Sequence, residues 1–375
     1  MTQDRPEAEN TEVRIGGYRL VSGLGRGNTS RVYLAEKVAP EAPDTTAQGN
    51  SAQSSSGQGS SAPARPFSAA GLRAGTRVAL KVPLPETRAD QAAAERFANE
   101  VRLTLQFRHP HLVAGLDGTA FGPDAYLAMH HYPGGTLARQ LAYNTLTLPE
   151  TLRVLADVAS GMAYLHHAGA VHQDVKTQNV YLEKADTGAY RAALGDFGST
   201  YFQSQGGEVS GSPYYMAPEV YQGEMTGPPS DVYSFGVLAF ELLTGERPHL
   251  GDSYERLMVS HLTHFPSPMH VQGLPKALSR LLDAALAKRP GDRPKSALLR
   301  RGLLETLGEP DETDAAAPEP AEEKSASRAS VGRHGPDVPT PAAALPDLSS
   351  RRTASRGTLS GTQDKRGWNP FRKKK

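Results

Sequence analysis

The sequence predicts an α+β protein in two lobes, a small sheet with one helix followed by a larger, mostly helical lobe. Three observations carry that prediction. Strand-like runs come early, before residue 131. Helical apolar patterns dominate after residue 149. Two stretches, 40–75 and 308–375, are too poor in large apolar side chains to offset their ordering entropy, and they bound the globular part.

The first strand-like runs, 18–24 and 31–37, flank a Gly-rich turn. TRVALKVP, residues 76–83, alternates apolar and polar positions and reads as a strand. From residue 90 the period becomes helical. Phe97, Val101, Thr104 and Leu105 share one face, with Glu100 beside that stripe. A further short strand is expected at 125–130. Beyond Pro149, Leu152, Leu155, Val158, Ala159, Met162 and Leu165 form one apolar stripe. Residues 232–243 are apolar nearly all round, the pattern of a buried helix. The insertion, which includes DTTAQGNSAQSSSGQGSSAPARP, and the tail from 308 are expected to be disordered.

Composition narrows the function classes. The 375 residues carry a formal net charge of +1, which argues against a nucleic-acid binder driven by bulk charge. The chain has no cysteine, so disulfides and thiolate metal sites are excluded. MTQDRPEAEN has no apolar signal region, and no window approaches the roughly eighteen apolar residues of a spanning helix. The expected location is therefore the cytoplasm, with no transmembrane segment.

Several polar groups stand where chemistry is possible. LGRGNTSRVY, residues 24–33, places Gly25 and Gly27 between two strands, where backbone N–H groups can approach an anion. The turn joins strand to strand, unlike a Rossmann site, and no GxxxxGK[ST] occurs. Lys81 lies inside VALKV; it is either the solvated face of an edge strand or a cation aimed inward with Glu100 as partner. VHQDVKTQNVYL, residues 171–182, crowds Asp174, Lys176 and Asn179 onto a loop after a helix. LGDFGS adds a second carboxylate, Asp196, between glycines. Two carboxylates and an Asn suit a hard cation such as Mg²⁺ shared with phosphate. The pairs His130–His131 and His166–His167 are better read as structural than as metal ligands, since adjacent side chains point apart.

The order of these motifs resembles that of the eukaryotic-like (bacterial-type) serine/threonine protein kinase family. The resemblance spans about residues 13–307 apart from the insertion. GRGNTSRV resembles the loop over the ATP phosphates, with Ser30 where a third Gly is usual, and VALK the strand that supplies a phosphate-binding Lys. RHPHLV, HQDVKTQN, DFG, SPYYMAPE, DVYSFGVLAFELLTGERP and KRPGDRP follow in the family's order. The resemblance implies a bilobal protein-kinase-like fold whose small N-terminal lobe, about 13–129, is an antiparallel sheet with one helix. The C-lobe would run about 130–307, with a tail at 1–12 and another from 308.

The resemblance also implies roles. Asp174 would accept or orient the proton of the attacking hydroxyl, and Lys176 would stabilise the transferring phosphate. Asn179 and Asp196 would hold Mg²⁺, with Mn²⁺ as a substitute. Lys81 would reach the α/β-phosphates, fixed by Glu100. Gly25, Gly27, Ser30, Val32, Ala79, Met129, His130 and Tyr132 would line the ATP site, with Met129 as gatekeeper and His130 to Tyr132 as hinge. Asp231 would brace the catalytic loop, and Glu219 would pair with Arg293. The implied activity is ATP-dependent phosphorylation of protein Ser/Thr hydroxyls, including the chain's own. The alternative is a weakly active ATP-binding scaffold.

Gln173 departs from the family. An Arg is usual there and pairs with an activation-loop phosphate; Gln cannot. Phosphorylation within 199–210 is therefore not expected to be the main on-switch, unless Arg102 or Arg191 takes such a phosphate. In the tail, RRTASRGTLS is a candidate docking segment for a phosphopeptide-binding partner. The terminal WNPFRKKK has the composition for weak contact with an anionic membrane.

Overall fold

The computed structural model describes residues 13–39, 72–143, 146–185, 188–205 and 211–311. The N-terminal tail, the insertion from 40 to 71, Ser210, and both the RRTASRGTLS and WNPFRKKK segments lie outside the described residues.

Six antiparallel strands make the small lobe: β1 (Arg14–Ile15), β2 (Tyr18–Arg26), β3 (Ser30–Lys37), β4 (Arg77–Pro83), β5 (Gly115–Thr119) and β6 (Tyr126–His130). Their order is β1-β2-β3-β4-β6-β5. Period-two alternation gives the sheet two faces. Val78 and Leu80 of β4 join Tyr18, Ala35, Tyr126 and Ala128 on one. Ala79 joins Leu127 and Met129 on the other, where helix α2 (Gln91–Gln106) supplies Phe97, Val101 and Leu105. Asp90 caps α2 by accepting a hydrogen bond from Ala93 N at 2.7 Å.

One helix was expected in this lobe, and the described residues show a second, short one. The extra one, α1 (Pro85–Ala89), is a five-residue turn of helix started by proline. Its buried Thr87 donates to the Thr29 carbonyl at 2.7 Å, so α1 fastens the tip of the β2–β3 hairpin. Residues 72–75, assigned to the insertion on sequence, are among the described residues. Gly75 N donates to Lys37 O and Lys37 N to Thr76 O, which makes residues 72–75 part of the turn into β4.

The large lobe contains α3 (Leu137–Tyr143), α4 (Leu148–His167), α5 (Pro218–Tyr221), α6 (Pro228–Thr244), α7 (Tyr254–Thr263), α8 (Lys276–Ala285) and α9 (Ser296–Leu307). The short strands β7 (Gly135–Thr136), β8 (Ala170–Val171), β9 (Val180–Lys184), β10 (Tyr190–Leu194) and β11 (Tyr201–Phe202) frame the loops between them. Thr147 and Glu150 close a reciprocal capping box on α4, whose apolar stripe then enters the core. The α6 helix is buried from Ser230 to Ala239. A Cβ on Gly236 would lie 3.0 Å from Ala285 Cβ, so glycine lets α6 and α8 approach. The folded part reaches past 307: Gly308 caps α9 in the left-handed conformation and Asp311 pairs with Arg300 at 3.0 Å. Among the described residues, no helix is long and apolar enough to cross a membrane.

Candidate active site

Strand alternation decides where Lys81 points. It shares the face of Ala79, toward α2, and β4 is an interior strand between β3 and β6. Its Nζ lies 2.5 Å from Glu100 Oε1 and 3.5 Å from Asp196 Oδ1. Burial alone would lower the Lys81 pKa, but Asp196 and Glu100 outweigh it and raise the pKa instead. Burial pushes the Glu100 carboxyl up while Lys81 pulls it back. With two carboxylates around one ammonium, the proton stays on the lysine. The Asp196 carboxyl is held below the usual carboxylate range, chiefly by Lys81 and against its burial.

Asp196 has φ 67°, and so has Gln173; these are the non-glycine residues with positive φ among those described. Such conformations cost energy and persist where the surroundings enforce them. Phe197 is fully buried, its ring edge-on to Phe107 and His172 with centroids 5.6 Å away in each case. Asn99 Nδ2 on α2 donates to the Thr200 carbonyl at 2.8 Å. These contacts fix α2 where Glu100 meets Lys81.

The loop between β8 and β9 brings Asp174, Lys176 and Asn179 together. Asp174 Oδ2 accepts from Lys176 Nζ at 2.6 Å and from Asn179 Nδ2 at 2.9 Å. Its Oδ1 accepts from Ser212 Oγ at 2.9 Å, and Lys176 Nζ also donates to Ser212 Oγ at 2.8 Å. A carboxylate and an ammonium therefore already hold a serine hydroxyl between them. Asp231, fully buried on the first turn of α6, accepts from His172 N at 2.7 Å and Gln173 N at 2.8 Å. His166 Nε2 lies 2.9 Å from the same carboxylate and its Nδ1 2.8 Å from Ser296 Oγ, which is a structural brace. His172 Nε2 faces the Gly195 carbonyl at 3.1 Å, and burial lowers the ring's pKa.

Of the residues expected around the base of a nucleotide, Val32, Ala79, Met129 and Tyr132 pack in one cluster. Gly25 and Gly27 lie at the exposed hairpin tip, which Gly27 N closes on Ser30 O at 2.9 Å. Ser30 is buried. His130 ends β6 and its Nε2 lies 2.9 Å from Glu183 Oε2. Glu183 also pairs with Arg191, which places Arg191 near the end of β6. Arg102 donates to Asn99 Oδ1 at 2.7 Å. At the far end of the segment, Arg293 grips Glu219 through two bonds of 2.6 and 2.7 Å. Burial acts to raise the Glu219 carboxyl, but the Arg293 bonds prevail and hold it down.

Sequence reasoning missed three contributors. Tyr181 packs against the base cluster from β9. Asn99 was one more polar residue on a helix. Ser212 was noted as part of SPYYMAPE, but its partner Asp174 is 38 residues upstream, and no local pattern announces that bond.

The donor set can be tested against a divalent cation. Asp196 is ionised, with its side chain 38% exposed. Asn179 spends its amide N–H on Asp174, which leaves its oxygen on the other side of the amide. Among the described residues no group of three His, Asp or Glu forms a protein-only metal cage. Two hard oxygen donors fit an ion that completes its shell with water and phosphate oxygens.

The small sheet thus carries an ion-paired lysine and the large lobe an Asp–Lys–Asn loop. A family profile described as Protein kinase domain matches residues 52–301, more than half the chain, and the chain belongs to that family. The hairpin with Gly25 and Gly27 precedes the matched range. The chain is similar to serine/threonine-protein kinase PkaB of Streptomyces coelicolor, at 33% identity over 64% of this chain and 62% of the relative. It is also similar to serine/threonine-protein kinase PknB of Mycobacterium tuberculosis, at 32% over 64% and 40%, and to serine/threonine-protein kinase pkn2 of Myxococcus xanthus, at 29% over 76% and 32%. It thus spans from about a third to somewhat under two thirds of the length of these relatives. The family uses ATP and a divalent metal.

Proposed function

We propose that the chain is a serine/threonine protein kinase that transfers the γ-phosphate of ATP, with Mg²⁺ as the working ion, to protein hydroxyls including its own. The observation that carries this reading is the Asp174–Ser212–Lys176 arrangement. It shows a serine hydroxyl donating to a carboxylate while an ammonium sits on the same oxygen. A substrate hydroxyl in that place would be oriented by Asp174, which takes its proton as the new O–P bond forms and the bond from the γ-phosphorus to the bridging oxygen breaks, ADP leaving. Lys176 would bear on the oxygens of the transferring group. Lys81, kept charged by Glu100 and Asp196, would hold the α/β-phosphates. A divalent cation bound by Asn179 and Asp196 would supply neutralisation of phosphate charge. Val32, Ala79, Met129, Tyr132 and Tyr181 would enclose the base, with the Gly25–Gly27 turn over the phosphates.

Support comes from the formed Lys81–Glu100 pair, the buried Phe197 and the intact Glu219–Arg293 latch, all present together. Protein substrates and a cytoplasmic location belong to the same proposal. The test is transfer of labelled γ-phosphate to a generic basic protein and to the chain itself. Transfer is expected with Mg²⁺, is expected to persist with Mn²⁺, and should stop on chelation. Equal labelling in the presence of a chelator would reject the cation's part.

A further inference from the structure

Gln173 sits at the centre of contacts that the transfer chemistry does not use. Its backbone is left-handed, its side chain is buried, and its N–H is taken by Asp231. The side-chain Nε2 donates to Thr226 Oγ1 at 2.6 Å. Tyr201 Oη lies 2.5 Å from the Thr226 carbonyl and 2.9 Å from Thr226 Oγ1. One proton arrangement satisfies all three contacts. Gln173 donates to the Thr226 hydroxyl, that hydroxyl donates to Tyr201, and the Tyr201 hydroxyl donates to the Thr226 carbonyl. Thr226 belongs to the loop between α5 and α6, while Tyr201 lies on β11, which pairs with β8 just before Gln173. The chain of bonds therefore joins three separate stretches of sequence.

We propose that Gln173, Thr226 and Tyr201 form an uncharged knot that positions β11 and the catalytic loop for transfer without an added phosphate. This rests on the kinase reading above. None of the three side chains is charged, and the charge directly beneath them, Asp231, is negative. A phosphate brought to Gln173 would meet that carboxylate. The same segment crowds this residue further on: a Cβ on Gly211 would lie 3.1 Å from the Gln173 carbonyl, and Gly211 has φ 142°. Thr200, next to Tyr201, has no room for modification, because it is buried with its hydroxyl on the His172 carbonyl.

The experiment compares the full-length chain with Tyr201→Phe, Thr226→Val, the double variant and Thr226→Ser, on protein freed of phosphate beforehand. Each single removal is expected to lower kcat about fivefold to tenfold with KM for ATP unchanged, the scale of one lost neutral hydrogen bond. The double variant should be no worse than the poorer single, because both break one chain of bonds. Thr226→Ser should stay near wild type. Amide exchange at Tyr201 and Phe202 should quicken in Tyr201→Phe. Wild-type kcat in both singles overturns the knot. So does a rise in KM for ATP in step with the loss of kcat, or a Thr226→Ser as poor as Thr226→Val. If the wild type transfers no phosphate at all, the kinase reading fails separately. Amide exchange then decides the knot alone, and unchanged exchange in Tyr201→Phe overturns it.

Discussion

Two anchors hold the segment that runs from Asp196 to Glu219, and they are built from opposite chemistry. Near its start, Tyr201 is tied to Thr226 and Gln173 by neutral hydrogen bonds. At its end, Glu219 is locked to Arg293 by two charge-assisted bonds in a buried site, with Ser230 Oγ adding a third at 2.9 Å. The Arg293 guanidinium also lies 4.9 Å from the centre of the Tyr233 ring. Removing one partner of the neutral anchor leaves an uncharged group behind, at the cost of about one hydrogen bond. Removing one partner of the ionic anchor leaves a buried charge, which costs more. The difference separates a contact that tunes position from one on which the large lobe depends.

The largest effect should come from breaking the ionic end. Arg293→Ala leaves Glu219 buried without its partner and should cost about 3–5 kcal/mol of stability, read as a shift in the denaturation midpoint. A loss below about 1 kcal/mol would mean that the site reorganises or admits water.

Acid should act on the same side. Beneath Arg293, Tyr233 Oη lies 3.0 Å from His249 Nε2 and 3.0 Å from His261 Nδ1. Burial, with His261, Lys288 and His264 adding, lowers His249 to about 2; burial and Lys288 lower His261 to about 3. The unfolded chain binds protons first, near pH 6.5. Stability is therefore full above that pH and falls as pH drops, by about 1.4 kcal/mol per unit for each histidine. Denaturation followed from pH 7 to 5 should show this slope, and His261→Gln should flatten it.

Removing the cap of α4 is a smaller perturbation, remote from both anchors. Thr147→Ala should cost about 1 kcal/mol and leave transfer rates unchanged. The smallest effect is expected from the hydroxyls of the segment itself. Alanine at Ser199, Ser204 and Ser210 should leave the transfer rate near wild type, because the start of the segment is held without charge. A large loss in that series would place a phosphate in the account after all.

Much of this arrangement was legible in the sequence, and the reasons are specific. Lys81 was left open between the solvated face of an edge strand and an inward aim, and the interior place of β4 decides it; Glu100 was named as its partner because it lies three residues from Phe97 on an amphipathic helix. Asp174, Asn179 and Asp196 fall in short motifs that resemble the kinase family's, and their roles came from that resemblance. What could not be read depended on contacts between distant stretches. The five residues of α1 carry no apolar period, and the reason they fold is the Thr29 carbonyl, 58 residues upstream of Thr87. The departure at Gln173 was visible, but not Thr226, 53 residues on, which receives its side chain. The buried relay of His249, Tyr233 and His261 left no trace beyond ordinary helix and loop composition.

On the proposed function, Asp174 and Asp196 carry the transfer of phosphate. The direct measurement is incorporation of label from γ-labelled ATP by the full-length chain, beside Asp174→Asn and Asp196→Asn. Label is expected in the wild type, with a loss of about a hundredfold to ten-thousandfold in each variant and all three folded to the same denaturation midpoint within error. Label that persists at the wild-type rate in either variant, or a wild type that binds ATP and transfers nothing, would contradict it.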